Sequence, residues 1–378
     1  MNSSAPGRQT AVATEIQSSN PRKFLRIIPR VISCTIVLVL TLELCARLDD
    51  TINYGAPLFG SIYNHDSLYT YDQLGKKGKP NARFRKWGLN SLGYRGPEPA
   101  PGTTRIICLG ASETFGLYEP EGSEYPRLLE QQLNERAGGQ KYSVVNVALA
   151  GMPVGAMVPR IPEIAEKLKP SVALIYAGPN SYIWLPWLKV PTQAPRERWE
   201  WRIKESFRNI LKQVLPESVQ TYLRKREIEK EAPQYGPVMQ RVPEANVERY
   251  KQDMTALVKA LRAEGIEPVL VTHATLFGRE LTEAEKTQLI AWRRFSPMIS
   301  EEGLLDMERR GNQALRDLGK ELNVAVIDAA REVPSGSKNF ADFVHFTGEG
   351  SATMARVLAD GLKPVLRPQG SAAVASAR

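Results

Sequence analysis

The chain has 378 residues, 42% of them apolar and 24% charged, with a net charge of +9, which is ample for a folded protein with a real core. The positive excess is not a nucleic-acid footprint: residues 51–104 hold seven Lys/Arg against three Asp/Glu, residues 182–245 hold twelve against eight, and neither stretch contains a nucleic-acid-binding motif. Cys34, Cys45 and Cys108 lack metal or disulfide spacing, and no His/Asp/Glu cluster has it either, so no metal and no other cofactor is expected.

Residues 1–23 are polar and rich in Ser and Thr, and read as a disordered cytoplasmic tail. Arg22, Lys23, Arg26 and Arg30 lead into the apolar run from Val31 to Leu42. Counted from residue 24 to residue 46, the segment approaches the ~20 residues that span a bilayer and reads as a transmembrane signal anchor. Basic residues stay on the cytoplasmic side, which places everything after the anchor outside, in the periplasm or its equivalent. A cleaved signal peptide and a buried helix are the competing readings; no small-x-small cleavage site follows the run.

Residues 47–104 are rich in Gly, Pro, Asn and Tyr, without a long periodic segment, and read as a stalk or a layer wrapped on the main domain. Lys76, Lys77, Lys79, Arg83, Arg85 and Lys86 form a basic cluster, either a solvated loop or a contact with anionic headgroups.

From residue 105 to residue 366 the texture changes. Short apolar runs at Arg105–Leu109, Ser143–Val147, Val172–Tyr176, Pro268–Thr272 and Val324–Ile327 alternate with amphipathic helices, clearest at Val247–Glu264 and Leu304–Leu322. Runs too short for helices, separated by helices, predict an α/β fold with a parallel sheet covered on both faces. In such folds reactive groups collect at the carboxyl ends of the strands. Residues 182–245 interrupt the alternation and hold four of the six tryptophans. Ile203, Phe207, Ile210, Leu211 and Val214 recur at helical steps. This insert reads as a cap over the active site, a membrane-surface element, or a helix that only packs on the domain. Residues 367–378 read as a second disordered tail.

Four features carry chemistry. Gly110-Ala111-Ser112 ends the first strand, where a tight turn exposes a serine hydroxyl at the sheet edge. Asp342-Phe343-Val344-His345 precedes the last helix; a carboxylate three residues before a histidine can hold its Nδ1–H and leave Nε2 free to take a proton from serine. Gly151, after the second strand, and Asn180, after the third, offer a backbone and a side-chain donor to a developing oxyanion. Each also has a plain reading as a turn or capping residue. His273, at the end of the fourth strand, and His65, in the stalk, are the rival bases; His273 is a candidate to bind substrate or to support the catalytic residues from behind, and His65 is taken as structural.

Together, in this order, these residues resemble the SGNH/GDSL hydrolase family. Ser112 matches its nucleophile block, Gly151 its second-block glycine, Asn180 its third-block asparagine, and Asp342 and His345 its final Asp-x-x-His. The resemblance implies a three-layer α/β/α sandwich, ester hydrolysis or acyl transfer, and an oxyanion hole made by the Ser112 and Gly151 backbone N–H groups with the Asn180 amide. Two positions depart from the family pattern: Ala111 stands where Asp is common, and Ser181 follows Asn180 where Asp is common. The expected function is an extracytoplasmic, membrane-held serine esterase or O-acyltransferase for an ester-bearing carbohydrate or lipid-linked substrate, without nucleic-acid partners. A lipase or thioesterase, and a non-catalytic binding protein of the same fold, are the alternatives.

Overall fold

A computed structural model describes residues 21–54, 68–84, 86–139, 141–178, 181 and 217–366. The chain divides into two compact units, Met1–Leu58 and Phe59–Arg378. In the first, helix α1 (Pro21–Tyr54) carries the stretch Ile28–Cys45, with a mean hydropathy of 1.9. Among the described residues it is the one helix long and apolar enough to cross a membrane. Ile28, Val31, Ile36, Leu40 and Leu44 are all exposed, so the apolar surface runs round the helix instead of forming one buried stripe. The helix extends past residue 46 because no Gly or Pro interrupts it before Gly55 and Pro57.

The second unit begins with two small hairpins, β1 (Tyr69–Asp72) with β2 (Gly75–Gly78) and β3 (Arg83–Phe84) with β4 (Trp87–Gly88). Then come the five strands of the main sheet: β5 (Thr104–Gly110), β6 (Tyr142–Asn146), β7 (Val172–Tyr176), β8 (Glu267–Val271) and β9 (Ala325–Ile327). All pairings are parallel, in the order β6-β5-β7-β8-β9. Around this sheet lie α2 (Ser112–Phe115), α3 (Tyr125–Ala137), α4 (Ile161–Leu168), α5 (Glu217–Glu231), α6 (Glu244–Ala263), α7 (Glu283–Arg293), α8 (Glu301–Glu321) and α9 (Gly348–Gly361).

Successive strand side chains point to opposite faces, and here both faces are apolar. Ile107, Leu109, Val145, Ala173, Ile175 and Leu270 pack with side chains of α4, α6 and α8. Ile106, Cys108, Val144, Leu174, Tyr176 and Val269 pack with side chains of α3 and α9. The result is the three-layer α/β/α arrangement that the alternation of short runs and helices predicts. The α8 helix starts a turn earlier than its apolar pattern because the Ser300 hydroxyl accepts the Gly303 N–H at 3.0 Å, a cap that typically contributes ~1 kcal/mol.

From Leu68 onward, the segment before the sheet belongs to the domain. Leu68, Tyr69, Phe84, Trp87 and Leu89 are buried in the same core as Ile107 and Leu109, each large side chain contributing roughly 1.5–3 kcal/mol by leaving water. Three of its basic residues bond within the domain: Lys77 pairs with Asp72 at 3.0 Å, Arg83 with Glu121 at 2.8 Å, and the Lys86 ammonium reaches the Tyr118 carbonyl at 2.5 Å.

Of the predicted cap, residues 182–216, with the helix expected at Ile203–Val214 and the four tryptophans, lie outside the described residues, as do the terminal tails 1–20 and 367–378. Within the rest of the insert, Glu217–Glu231 forms α5, which is joined to the residue after α7 by an Arg294–Glu227 ion pair at 2.8 Å.

Candidate active site

The first strand delivers a serine to the carboxyl edge of the sheet. β5 stops at Gly110 and α2 starts at Ser112, so the chain reverses within one residue. A β-carbon on Gly110 would run into the Thr114 side chain and the Tyr176 carbonyl, which is why glycine stands there. The turn is held from outside as well. The Asn146 amide donates to the Thr114 carbonyl at 2.8 Å. The buried Arg95 guanidinium donates to the carbonyls of Phe115 and Gly116 and to that of Glu119 at 3.3 Å. Arg95 also pairs with buried Glu124 at 3.4 Å.

On the other side, the loop before α9 presents Asp342 and His345. Asp342 Oδ1 accepts the backbone N–H groups of Val344 at 3.0 Å and His345 at 2.9 Å, an Asx-type turn that fixes the carboxylate against its own loop. His345 Nδ1 donates to Asp342 Oδ2 at 2.8 Å, and His345 Nε2 lies 2.8 Å from Ser112 Oγ. Residues that are 233 positions apart thus close one hydrogen-bonded chain, Ser112–His345–Asp342. An aromatic stack backs the loop: Trp292 of α7 lies nearly parallel between Phe277 at 5.7 Å and Phe343 at 5.5 Å. Tyr118 sets its ring edge-on to His345 at 5.3 Å. Sequence reasoning did not single out Tyr118, Trp292 or Phe343.

The electrostatics follow from burial and these partners. Burial pushes the Asp342 carboxyl up, but the hydrogen bond and charge of His345 and the two backbone N–H groups bring it below the usual range. Burial alone would lower His345, yet the hydrogen bond and charge of Asp342, helped by Glu113 and Glu119, raise it. An imidazole held by a carboxylate on one nitrogen and facing a hydroxyl on the other is set to accept that hydroxyl's proton.

Gly151 is exposed and has φ +76°, in a turn closed by the Met152 N–H on the Leu149 carbonyl at 3.0 Å; a residue at that φ is readily glycine. The preceding carbonyl, of Ala150, accepts from Lys76 Nζ at 3.0 Å. Asn180 and His65 lie outside the described residues. The reading of His273 as pocket-lining is corrected: it is 1% exposed and enclosed by Glu308, Glu113 and Tyr176. Its strand-end position is as expected, but its ring turns into the interface between sheet and α8. Among the described residues no His/Cys/Asp/Glu group is arranged to hold a metal ion.

Residues 108–353 match the GDSL-like Lipase/Acylhydrolase family model. The chain belongs to that family. Solved structures similar to this GDSL chain include the psychrotrophic esterase EstA from Pseudoalteromonas sp., at 12% identity over 70% of this chain and 100% of that one, with a TM-score of 0.41. The lipase/acylhydrolase from Enterococcus faecalis is similar at 14% identity over 71% and 99% of the two chains, with a TM-score of 0.41. A GDSL-like lipase from Bacteroides thetaiotaomicron VPI-5482 is similar at 14% identity over 71% and 92%, with a TM-score of 0.39. No curated protein matches the sequence. The GDSL match opens at Cys108, inside β5, and so leaves Arg95 and both hairpins outside it.

Proposed function

We propose that this GDSL-family protein is a membrane-anchored serine esterase that cleaves or transfers an O-linked acyl group outside the cytoplasm, with Ser112 as nucleophile, His345 as base and Asp342 as its orienting carboxylate. The observation that carries the reading is the 2.8 Å contact between Ser112 Oγ and His345 Nε2, with Nδ1 bonded to Asp342 on the far side of the ring.

In this mechanism the Ser112 oxygen attacks the acyl carbon while its proton moves to His345 Nε2. Negative charge gathers on the former carbonyl oxygen, where the backbone N–H groups of Ser112 and Gly151 and the Asn180 amide are the proposed donors. The His345 imidazolium returns the proton to the departing alkoxide, leaving an acyl group on Ser112. His345 then deprotonates water, for hydrolysis, or an acceptor hydroxyl, for transfer, and the acyl–Ser112 bond breaks.

The location rests on α1 and on the basic residues Arg22, Lys23, Arg26 and Arg30 at its start, which favour retention on the cytoplasmic side. That orientation faces the esterase toward surface carbohydrate or lipid-linked esters. Hydrolysis of p-nitrophenyl acetate by the purified full chain, abolished in Ser112→Ala, is the expected result. Equal activity in both proteins refutes the assignment of Ser112. Amino-terminal sequencing of the membrane fraction tests the anchor; a soluble form beginning near Arg47 refutes it.

A further inference from the structure

The Ser112 hydroxyl has one hydrogen and two acceptors within reach. His345 Nε2 lies at 2.8 Å, and the Glu113 carboxylate, Oε2, lies at 3.2 Å. Glu113 is 3% exposed, and nothing in the mechanism above uses it. A buried carboxylate beside the nucleophile is costly unless something of opposite charge answers it.

His273 supplies that answer. Its Nε2 faces Glu113 Oε1 at 3.7 Å, an ion-pair distance beyond hydrogen-bonding range. Its Nδ1 bonds Glu308 Oε2 at 3.0 Å. The His273 backbone is pinned in both directions by Asn312, whose Oδ1 accepts the His273 N–H at 2.6 Å and whose Nδ2 donates to the His273 carbonyl at 2.8 Å. Tyr176 covers the ring at 5.1 Å. A β-carbon on Gly178 would collide with both Glu113 Oε1 and His273 Nε2, so the end of β7 leaves just the room the pair occupies. Burial alone would lower His273, but the charges of Glu308 and Glu113 raise it to about 10. Burial likewise raises Glu113, and the facing His273 together with the charge of His345 brings it below the ordinary value.

We propose that Glu113, paired with the buried His273 cation that Glu308 holds in place, is a positioning residue that gives the Ser112 hydroxyl a second acceptor and favours the His345 imidazolium as Ser112 attacks. With His345 protonated, Nε2–H donates to Oγ and Oγ–H donates to Glu113, so the imidazolium and the hydroxyl each have an acceptor. During attack the hydroxyl proton passes to Nε2, and the Glu113 charge steadies the resulting cation. The same charge would oppose a growing oxyanion on the substrate. The His273 cation on its other oxygen limits that cost, which gives a buried ion pair a reason to sit behind a nucleophile. The groups facing His345 are Asp342 from its own loop, Glu113, Glu119 and the Tyr118 ring; those facing His273 are Glu113 from α2, Glu308 from α8 and Tyr176 from β7.

The inference rests on Ser112 being the nucleophile, so the test separates the two. The detergent-solubilised full chain is labelled with a fluorophosphonate, in which Oγ bonds phosphorus, fluoride leaves and the proton passes to His345. The labelling rate is followed against pH, with Ser112→Ala as the unlabelled control. Reaction needs neutral His345, so the rate rises through an acid limb set by that residue. Glu113→Gln keeps an acceptor for the hydroxyl and removes the charge. His345 then protonates less readily, so the acid limb should move down by about one pH unit and the plateau should fall by up to about tenfold. A purely structural role for Glu113 would change thermal stability without moving the limb. An acid limb left at the wild-type pH in the folded variant overturns the proposal.

The chain has only three histidines, so imidazole NMR of the wild-type protein gives a reading that does not depend on the variant folding. His273 should stay protonated past about pH 9, far above the ordinary value of about 6.5; titration near 6.5 overturns the clamp. A wild-type protein that takes no label refutes Ser112 as nucleophile, while the His273 titration still judges the clamp.

Discussion

Asp342→Asn separates orientation of the base from folding of its loop. In the native loop, Oδ1 accepts two backbone N–H groups, at 3.0 and 2.9 Å, and Oδ2 accepts His345 Nδ1–H at 2.8 Å. An asparagine keeps its oxygen on the two backbone donors, so its NH2 falls where Oδ2 was. Facing a donor, the imidazole must leave Nδ1 bare and carry its proton on Nε2. There it points at Ser112 and cannot accept. A unit charge is lost as well. With charge centres about 4 Å apart and an effective dielectric of about 20, that charge is worth ~4 kcal/mol to the imidazolium, or roughly 10³ in rate. The two side chains are 12% and 16% exposed, so solvent screens little of it. With the tautomer reversed, the expected loss in kcat is about 10⁴, which is ~5.5 kcal/mol. The loop's backbone hydrogen bonds survive, so Tm should shift by no more than a few degrees. Steady-state hydrolysis of p-nitrophenyl acetate and a thermal melt on the same sample give both numbers. A variant with kcat within tenfold of wild type, at unchanged Tm, refutes the role assigned to Asp342.

Arg95→Met leaves buried Glu124 and the carbonyls of Phe115, Gly116 and Glu119 without their donor; a loss of about 3–5 kcal/mol should appear in denaturant unfolding, and a loss below about 1 kcal/mol would deny Arg95 a bracing role. Asn180→Ala should lower kcat by about 10²–10³ with little change in KM, as for removal of one oxyanion donor; full kcat with a raised KM would make Asn180 a substrate-binding residue. His273 is raised to about 10, so its contribution to stability is complete below the unfolded value of about 6.5 and lost as pH rises through about 10. Tm measured from pH 6 to pH 10.5 should therefore fall more steeply in wild type than in His273→Gln, and equal slopes would refute a buried cation there.

Much of the fold was legible because each central strand is a short apolar run bounded by turn residues. Val172–Tyr176 lies where its pattern predicts, and the α6 and α8 stripes differ from the observed helices only by their capping turns. Ser112, Asp342 and His345 were legible because the carboxylate and imidazole that must touch sit three residues apart, and the serine follows a strand. What was hidden depends on long-range contacts. His273 read as a pocket residue because a strand end specifies the edge of the sheet but not which way a side chain turns; Glu308, 35 residues further on, decides it. Glu113 carries no signal in the sequence beyond its place after a serine, because its burial against His273 is set by the fold. Arg95 stood in a stretch without periodicity, and its partners lie 20 residues or more away.

The arm that precedes the sheet carries a consequence for modularity. The family match starts at Cys108, which invites the picture of a portable hydrolase on an exchangeable leader. Yet Lys76 holds the Ala150 carbonyl beside Gly151, Lys86 holds the Tyr118 carbonyl beside the His345 ring, and Arg95 holds the backbone just past Ser112. Three segments that carry residues of the proposed site are therefore bonded to residues that the shared family region does not include. A chimera or expression fragment cut at the family boundary would keep Ser112, Asp342 and His345 and lose the moorings that align them. A fragment that keeps these contacts must begin no later than Leu68, the first described residue of the arm buried in the domain core.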